Sequence, residues 1–276
     1  MDVRLVASDL DGTIIRADGT ISRRTIDAFR HAREAGMHIV FVTGRPVRWL
    51  EPIREAFGHL GAVICSNGAV LYDLETERLL RAETIEPQLL IEAQRIILRA
   101  EPGATFAAET TRGLHLEPGF ADSAETARLE VLDTLDLRSA ALREEGVVKF
   151  LAKSRTRNSD DFMAAVAEDL GHLVSVTHSA FDVSLLEMAH VDVNKSVALA
   201  AYAADLGIDP GEVVAFGDMP NDLQMLAWAG HGYAMASGHR SALDAAAHRA
   251  PGVEDDGVAC ILEDILAGYG RLPRPR

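Results

Sequence analysis

Cysteine is scarce in this chain: of 276 residues only Cys65 and Cys260 are cysteines, far apart and with no Cys-x-x-Cys. That argues against a disulfide framework and fits a reducing cytosol. Positive charge is short as well, since 27 Lys and Arg face 42 Asp and Glu, for a formal net charge of -15. A chain this acidic has no general attraction for nucleic acid or anionic lipid, so neither is expected as a partner. An anionic ligand would need local devices: a cation, a Lys, an Arg, or backbone N–H groups at a helix start. Long apolar runs are missing, so no segment is expected to span a membrane. The start, Met1-Asp2-Val3-Arg4, lacks the charged and long apolar regions of a secretion signal, and a cytoplasmic location is expected. The ten histidines show no metal-ligand spacing, and there is no internal repeat or low-complexity segment.

What the chain does have is 48% hydrophobic residues, enough for one large domain or two modest ones. Val3 to Leu10 reads as a short buried strand, followed by turn signals at Gly12 and Asp18-Gly19. Ser22 can cap a helix that stops at Gly36. His38 to Val42 is a second apolar strand, Val47 to Phe57 a helix with Pro46 in its first turn, and Ala62 to Cys65 a third strand. Such alternation implies a parallel sheet with helices on its faces.

The middle of the chain differs. Ala69 to Leu80 looks like a hairpin around Asp73–Thr76, and a helix is expected from about Pro87 to Arg99, its Leu89, Leu90, Ala93 and Ile97 stripe facing a core. Short strands follow near Thr105 and Leu114 and at 147–152, 173–177 and 183–188, with helices near Glu125–Leu135 and Asp160–Leu170. This pattern suggests an α+β module. Alternation then returns, with a helix from Val193, a strand Glu212 to Phe216, a helix near Pro220, and shorter elements to a final helix from Gly257 to Ala267; the tail from Gly268 is expected to fray. The simplest organisation is α/β: a Rossmann-like parallel-sheet core of residues 1–81 and 188–276, with an α+β cap of residues 82–187 inserted.

Ligands bind beyond the carboxyl ends of strands in open parallel sheets. The expected strands end at Asp9-Leu10-Asp11, Thr43-Gly44-Arg45, Ser66-Asn67-Gly68 and Gly217-Asp218, with Asn221 and Asp222 close behind. If these strands share one sheet, their ends converge, and the acidic positions would hold a hard cation through oxygen, Mg²⁺ by default. Asp9 and Asp11 lie two apart, so one carboxylate can attack phosphorus while the other handles a proton. Gly12 and Thr13 turn the chain, and their N–H groups can face an anion. Thr43 can donate its hydroxyl to a phosphoryl oxygen, and Lys195 can supply the remaining positive charge.

These residues resemble the haloacid dehalogenase superfamily, most closely its Cof-type phosphatases. The resemblance runs through Asp9-Leu10-Asp11-Gly12-Thr13, Thr43 in Val42-Thr43-Gly44-Arg45, Lys195 in Asn194-Lys195-Ser196, and Gly217-Asp218-Met219-Pro220-Asn221-Asp222, with Ser66-Asn67-Gly68-Ala69 between. It implies an inserted cap that closes over substrate, an aspartyl-phosphate on Asp9, and Asp11 as proton donor and then base. It further implies that Thr43 and Lys195 hold the phosphoryl group. Mg²⁺ would bind the Asp9 carboxylate, the Asp11 backbone carbonyl and Asp218, supported by Asp222, and Asn221 would orient phosphoryl oxygens or Lys195. Gly12, Thr13, Gly44, Arg45 and Asn67 would complete the substrate side. Two stretches depart from the family pattern: Ser196 follows Lys195, and Met235-Ala236-Ser237-Gly238-His239 replaces a Met-Gly-Asn-Ala segment.

Arg45 reads equally as catalytic, substrate-binding or a surface ion pair, and Asn67 as a phosphate-side ligand or a turn residue. Cys65 reads as a packed strand residue. The implied activity is hydrolysis of phosphomonoesters of small metabolites, sugar phosphates or phosphorylated cofactors. A sugar phosphomutase using the same aspartates is the alternative, and a receiver phosphorylated on Asp9 is disfavoured by Asp11. Arg112, His115, Lys149 and His178 are the cap residues considered for specificity. Oligomeric state leaves no signal in the chain.

Overall fold

The computed structural model describes residues 2–123, 126, 129–178 and 184–269. The chain divides into two compact units, Met1–Leu80 with Lys195–Arg276, and Arg81–Asn194.

The first unit is built on an eight-stranded sheet in the order β14-β13-β12-β1-β2-β3-β4-β5. Its centre is parallel: β1 (Leu5–Ser8) lies between β2 (His38–Val42) and β12 (Val213–Gly217), and β3 (Ala62–Cys65) pairs with β2. These strands are short, continuous apolar runs because helices cover both of their faces. On one face Phe29, Phe41 and Phe57 form a ring cluster with centroids 4.9–5.4 Å apart. On the other, Leu5, Ala7, Val40 and Val42 pack with Leu199 and Ala203 of α6 (Lys195–Asp205) and with Met225 and Leu226 of α7 (Leu223–Trp228). Helix α1 (Arg23–Glu34) starts where expected, the Ser22 side chain accepting from the Thr25 N–H at 3.0 Å.

The hairpin of β4 (Val70–Asp73) and β5 (Arg78–Ala82) adds an antiparallel edge. At the other edge β13 (His231–Met235) and β14 (His248–Ala250) extend the parallel ladder. The helix expected over 47–57 is split. A 3₁₀ turn, Val47–Trp49, precedes α2 (Glu51–Phe57), because Pro52 suits the first turn of a helix and restarts one there.

The second unit carries a six-stranded sheet in the order β10-β11-β9-β6-β7-β8. Pairing is antiparallel from β10 (Val174–Thr177) through β11 (Leu185–His190), β9 (Val147–Lys153) and β6 (Thr105–Thr110) to β7 (Leu114–Leu116). Helices α3 (Pro87–Ala100) and α5 (Ser159–Leu170) bury Leu90, Ala93, Ile97, Phe162 and Val166 against Phe106, Phe150 and Met188 on one sheet face. A short helix, α4 (Ala140–Glu145), precedes β9. Part of the helix expected over 125–135 lies outside the described residues, but its end is not helical. Val131–Thr134 is strand β8, paired parallel with β7, so tertiary pairing overrides the local helical pattern. Strand β11 runs unbroken to His190, and the second unit ends at Asn194. The tail from 270 lies outside the described residues, and the last helix is α9 (Gly257–Tyr269).

Candidate active site

Sheet order decides which loops meet. Strands β3, β2, β1 and β12 are consecutive neighbours running the same way, so Asn67, Thr43, Asp9 and Asp218 all follow strand ends on one rim. The Asp9 N–H donates to the Phe216 carbonyl at 2.9 Å, and the Thr43 N–H to that of Ile64 at 2.8 Å, which prolongs the ladders into the loops. Lys195 arrives from elsewhere, as the first residue of α6.

Lys195 is 1% exposed, and its Nζ donates to Asp9 Oδ1 at 2.5 Å and to Asp222 Oδ1 at 2.7 Å. Asp222 is fully buried, and its other oxygen accepts the N–H groups of Asp218 and Met219, each at 3.0 Å. Asp9, Asp218 and Asp222 each present a carboxylate oxygen within 4.8 Å of the others. Three buried carboxylates against one ammonium leave two negative charges uncompensated, and the protonation equilibria register this. Burial, then the charges of Asp222 and Asp11, raise Asp9 to about 7 against the pull of Lys195. Burial, then Asp9 and Asp222, raise Asp218 to about 9. Burial tends to lower Lys195, but Asp222 and Asp9 outweigh it and hold the lysine above its usual range. An all-oxygen donor set with this excess charge fits a hard divalent cation.

The Asp11 carboxylate is absent from that cluster. Arg45 grips it bidentately, Nη2 to Oδ1 at 2.6 Å and Nε to Oδ2 at 2.7 Å, and Arg45 Nη1 donates to the Trp49 carbonyl at 3.3 Å. Of the three readings of Arg45, the ion pair is the one the structure displays, and its partner is the candidate proton donor. The Arg45 N–H also donates to Thr43 Oγ1 at 3.0 Å, leaving the Thr43 hydroxyl proton without an acceptor among the described residues.

Two expectations for the first loop are corrected. The Gly12 N–H donates to the Ile15 carbonyl at 3.0 Å and that of Thr13 to the Leu10 carbonyl at 3.2 Å, so neither is available to an anion. Both residues serve Asp218 instead. Thr13 Oγ1 donates to Asp218 Oδ1 at 3.0 Å. Gly12, at φ +78°, leaves room for that carboxylate, since a Cβ there would lie 2.3 Å from Oδ2. The N–H groups of Leu10 and Asp11 have no acceptor among the described residues, and these can face a ligand anion. Sequence reasoning missed them because the turn geometry, not residue type, decides which amides are free.

Asn221 Nδ2 donates to Asn67 Oδ1 at 3.0 Å, and the partners of Lys195 Nζ are both carboxylates, so of the two roles expected of Asn221 the one toward phosphoryl oxygens is left. Ser66 and Asn67 both adopt left-handed backbone, φ 50° and 57°. Their N–H groups donate to the carbonyls of Arg45 at 3.0 Å and Thr43 at 2.9 Å, tying this turn to the loop after β2. Gly44 lies in that loop, and Cys65 is a fully buried strand residue.

In the second unit the polar residues singled out for specificity are distributed over both sheet faces. Lys149 and Glu187 are both buried and paired at 2.5 Å on the face opposite α3 and α5. His115 lies on the helix side, with Nε2 2.8 Å from Glu145 Oε2. His178 contacts Asp160 at 2.9 Å, and Arg112 sits in the turn between β6 and β7.

The rim thus brings together three buried carboxylates and a lysine bridging two of them, with the buried Thr43 at the end of the adjacent strand. The family model for haloacid dehalogenase-like hydrolases matches residues 6–262. The chain belongs to this family, and it is an enzyme of the phosphatase kind. It is 29% identical over 245 residues to the HMP-PP phosphatase of Serratia proteamaculans (strain 568), covering 85% of this chain and 84% of that protein. It is 28% identical over 249 residues to the pyridoxal phosphate phosphatase YbhA of Escherichia coli (strain K12), covering 86% and 89%. The solved structure of SMU.1108c from Streptococcus mutans UA159 superposes with a TM-score of 0.82 at 21% identity, covering 96% of this chain and 99% of that one, which establishes the shared fold.

Proposed function

We propose that this chain is a Mg²⁺-dependent phosphatase that hydrolyses phosphomonoesters of small metabolites through an aspartyl-phosphate on Asp9. The observation that carries this reading is the Lys195 ammonium held between Asp9 and Asp222, in a carboxylate cluster whose excess charge calls for a divalent cation. Mg²⁺, held by Asp9, Asp218 and the Asp11 carbonyl with Asp222 in support, would supply neutralising charge. The chain's own groups do the rest.

In the first step the Asp9 carboxylate forms a bond to phosphorus while the bond from phosphorus to the ester oxygen breaks. Asp11 gives its proton to that departing oxygen. In the second, Asp11 takes a proton from water, whose oxygen attacks phosphorus and releases Asp9 and inorganic phosphate. Thr43, Lys195 and the Leu10 and Asp11 N–H groups would hold the phosphoryl oxygens. For this sequence the bidentate hold of Arg45 on Asp11 must open, because both carboxylate oxygens are occupied in it.

Relatives named for HMP-PP and pyridoxal phosphate support phosphorylated cofactors as a substrate class alongside sugar phosphates. The test is a panel of phosphorylated metabolites, with and without Mg²⁺, read as free phosphate against isomerised product. Asp9→Asn is expected to abolish phosphate release with unchanged circular dichroism. Full activity in that variant would sink the mechanism, and isomer without phosphate would turn the reading to a mutase.

A further inference from the structure

The stretch Met235 to His239, where the sequence leaves the family pattern, packs against the backbone of Asp218. The Asp218 carbonyl accepts the His239 N–H at 2.7 Å. Gly238 lies flat on the same residue: a Cβ there would stand 2.7 Å from the Asp218 carbonyl oxygen and 2.9 Å from its Cα. The Gly238 N–H donates to the Met235 carbonyl at 2.9 Å, closing a turn directly after β13. His239 then caps α8 (Arg240–Ala245), its Nδ1 accepting from the Ser241 N–H at 3.2 Å with φ -61°. Asp218 is thus gripped through its side chain by Thr13, and through its backbone by Asp222 on one flank and this turn on the other.

We propose that the Gly238-His239 turn is a positioning element for Asp218 and sets the affinity of the site for a divalent cation. This rests on the reading of Asp218 as a metal ligand. The turn contributes by shape and by one amide. Position 238 must lack a Cβ, and position 239 must offer an N–H, whereas the imidazole itself is dispensable for this purpose. Groups that orient a ligand without touching the metal change affinity by roughly 10- to 100-fold when lost.

The test is calorimetric titration of Mg²⁺ into the EDTA-treated full chain, with thermal unfolding to check each variant's fold. His239→Ala and His239→Pro both remove the imidazole, but only proline removes the N–H, setting a ring carbon against the Asp218 carbonyl in its place, while the native φ suits proline. His239→Ala is expected to bind Mg²⁺ as the parent does. His239→Pro and Gly238→Ala are expected to bind roughly 10- to 100-fold more weakly and to recover turnover at saturating Mg²⁺. Should Gly238→Ala fail to fold, the comparison of His239→Pro with His239→Ala decides alone. Equal Mg²⁺ affinity in those two overturns the proposal. Asp218→Asn tests the underlying reading separately: undiminished Mg²⁺ binding there would remove Asp218 as a ligand, whatever the turn does.

Discussion

Stripped of divalent cations, the fold is expected to weaken as the pH rises from 5 to 9, and Mg²⁺ is expected to reverse the loss. Asp9 and Asp218 carry the effect, with pKa values raised from 3.8 to about 7 and about 9. A carboxyl whose folded pKa lies above its unfolded value binds its proton more tightly in the native state. Its contribution is fully present below pH ~4 and is lost as pH climbs through the folded value. For Asp9 alone, a rise from 3.8 to about 7 corresponds to about 4 kcal/mol. The Asp218 contribution is coupled to it through shared charge and does not simply add. Carboxylates held low act in the opposite sense, such as Glu101 beneath the Thr156 hydroxyl, but only as pH falls below the ordinary carboxylate range. Because a cation competes with these protons, stabilisation by a fixed Mg²⁺ concentration grows with pH. Urea unfolding of the EDTA-treated protein at pH 5, 7 and 9, with and without Mg²⁺, measures both trends. Asp218→Asn is expected to flatten the slope. Metal-free stability that is constant or rising over this window, or equal Mg²⁺ stabilisation at pH 5 and 9, would refute the electrostatic account.

Arg45→Ala is expected to preserve kcat, because the fork that occupies both Asp11 oxygens must open before the proton step, and a large loss of kcat would show that Arg45 acts in the reaction itself. The same change should alter unfolding free energy by less than about 1 kcal/mol, because the Asp11 side chain is more than half exposed. Phe41→Ala empties the centre of the Phe29–Phe41–Phe57 cluster and is expected to cost about 3–5 kcal/mol in urea unfolding, with kcat retained in the folded fraction.

The sequence was most informative where chemistry restricts residue type. Asp9, Thr43 and Asp218 at strand ends and Lys195 at a helix start stand out because few side chains can attack, donate or neutralise there, and the alternation around them implies the parallel sheet that aligns the strand ends. It was least informative about pairing. Whether Arg45 meets substrate or Asp11, and whether Asn221 meets Lys195 or Asn67, depends on loops brought together by strand order across long stretches of chain. Strand β8 shows the same limit, because pairing with β7 outweighs the local pattern of its residues.

By itself, then, the sequence determined the donor groups and their order, since covalent position and side-chain chemistry are local properties. Only tertiary structure decided which backbone amides of this loop find an acceptor among the described residues: those of Gly12 and Thr13 do, and those of Leu10 and Asp11 do not. It alone also showed that Gly12, Thr13, Gly238 and His239 converge on Asp218 from opposite ends of the chain. Hydrogen bonds are satisfied within a few tenths of an ångström, and contacts that precise are settled by the packing of the whole domain.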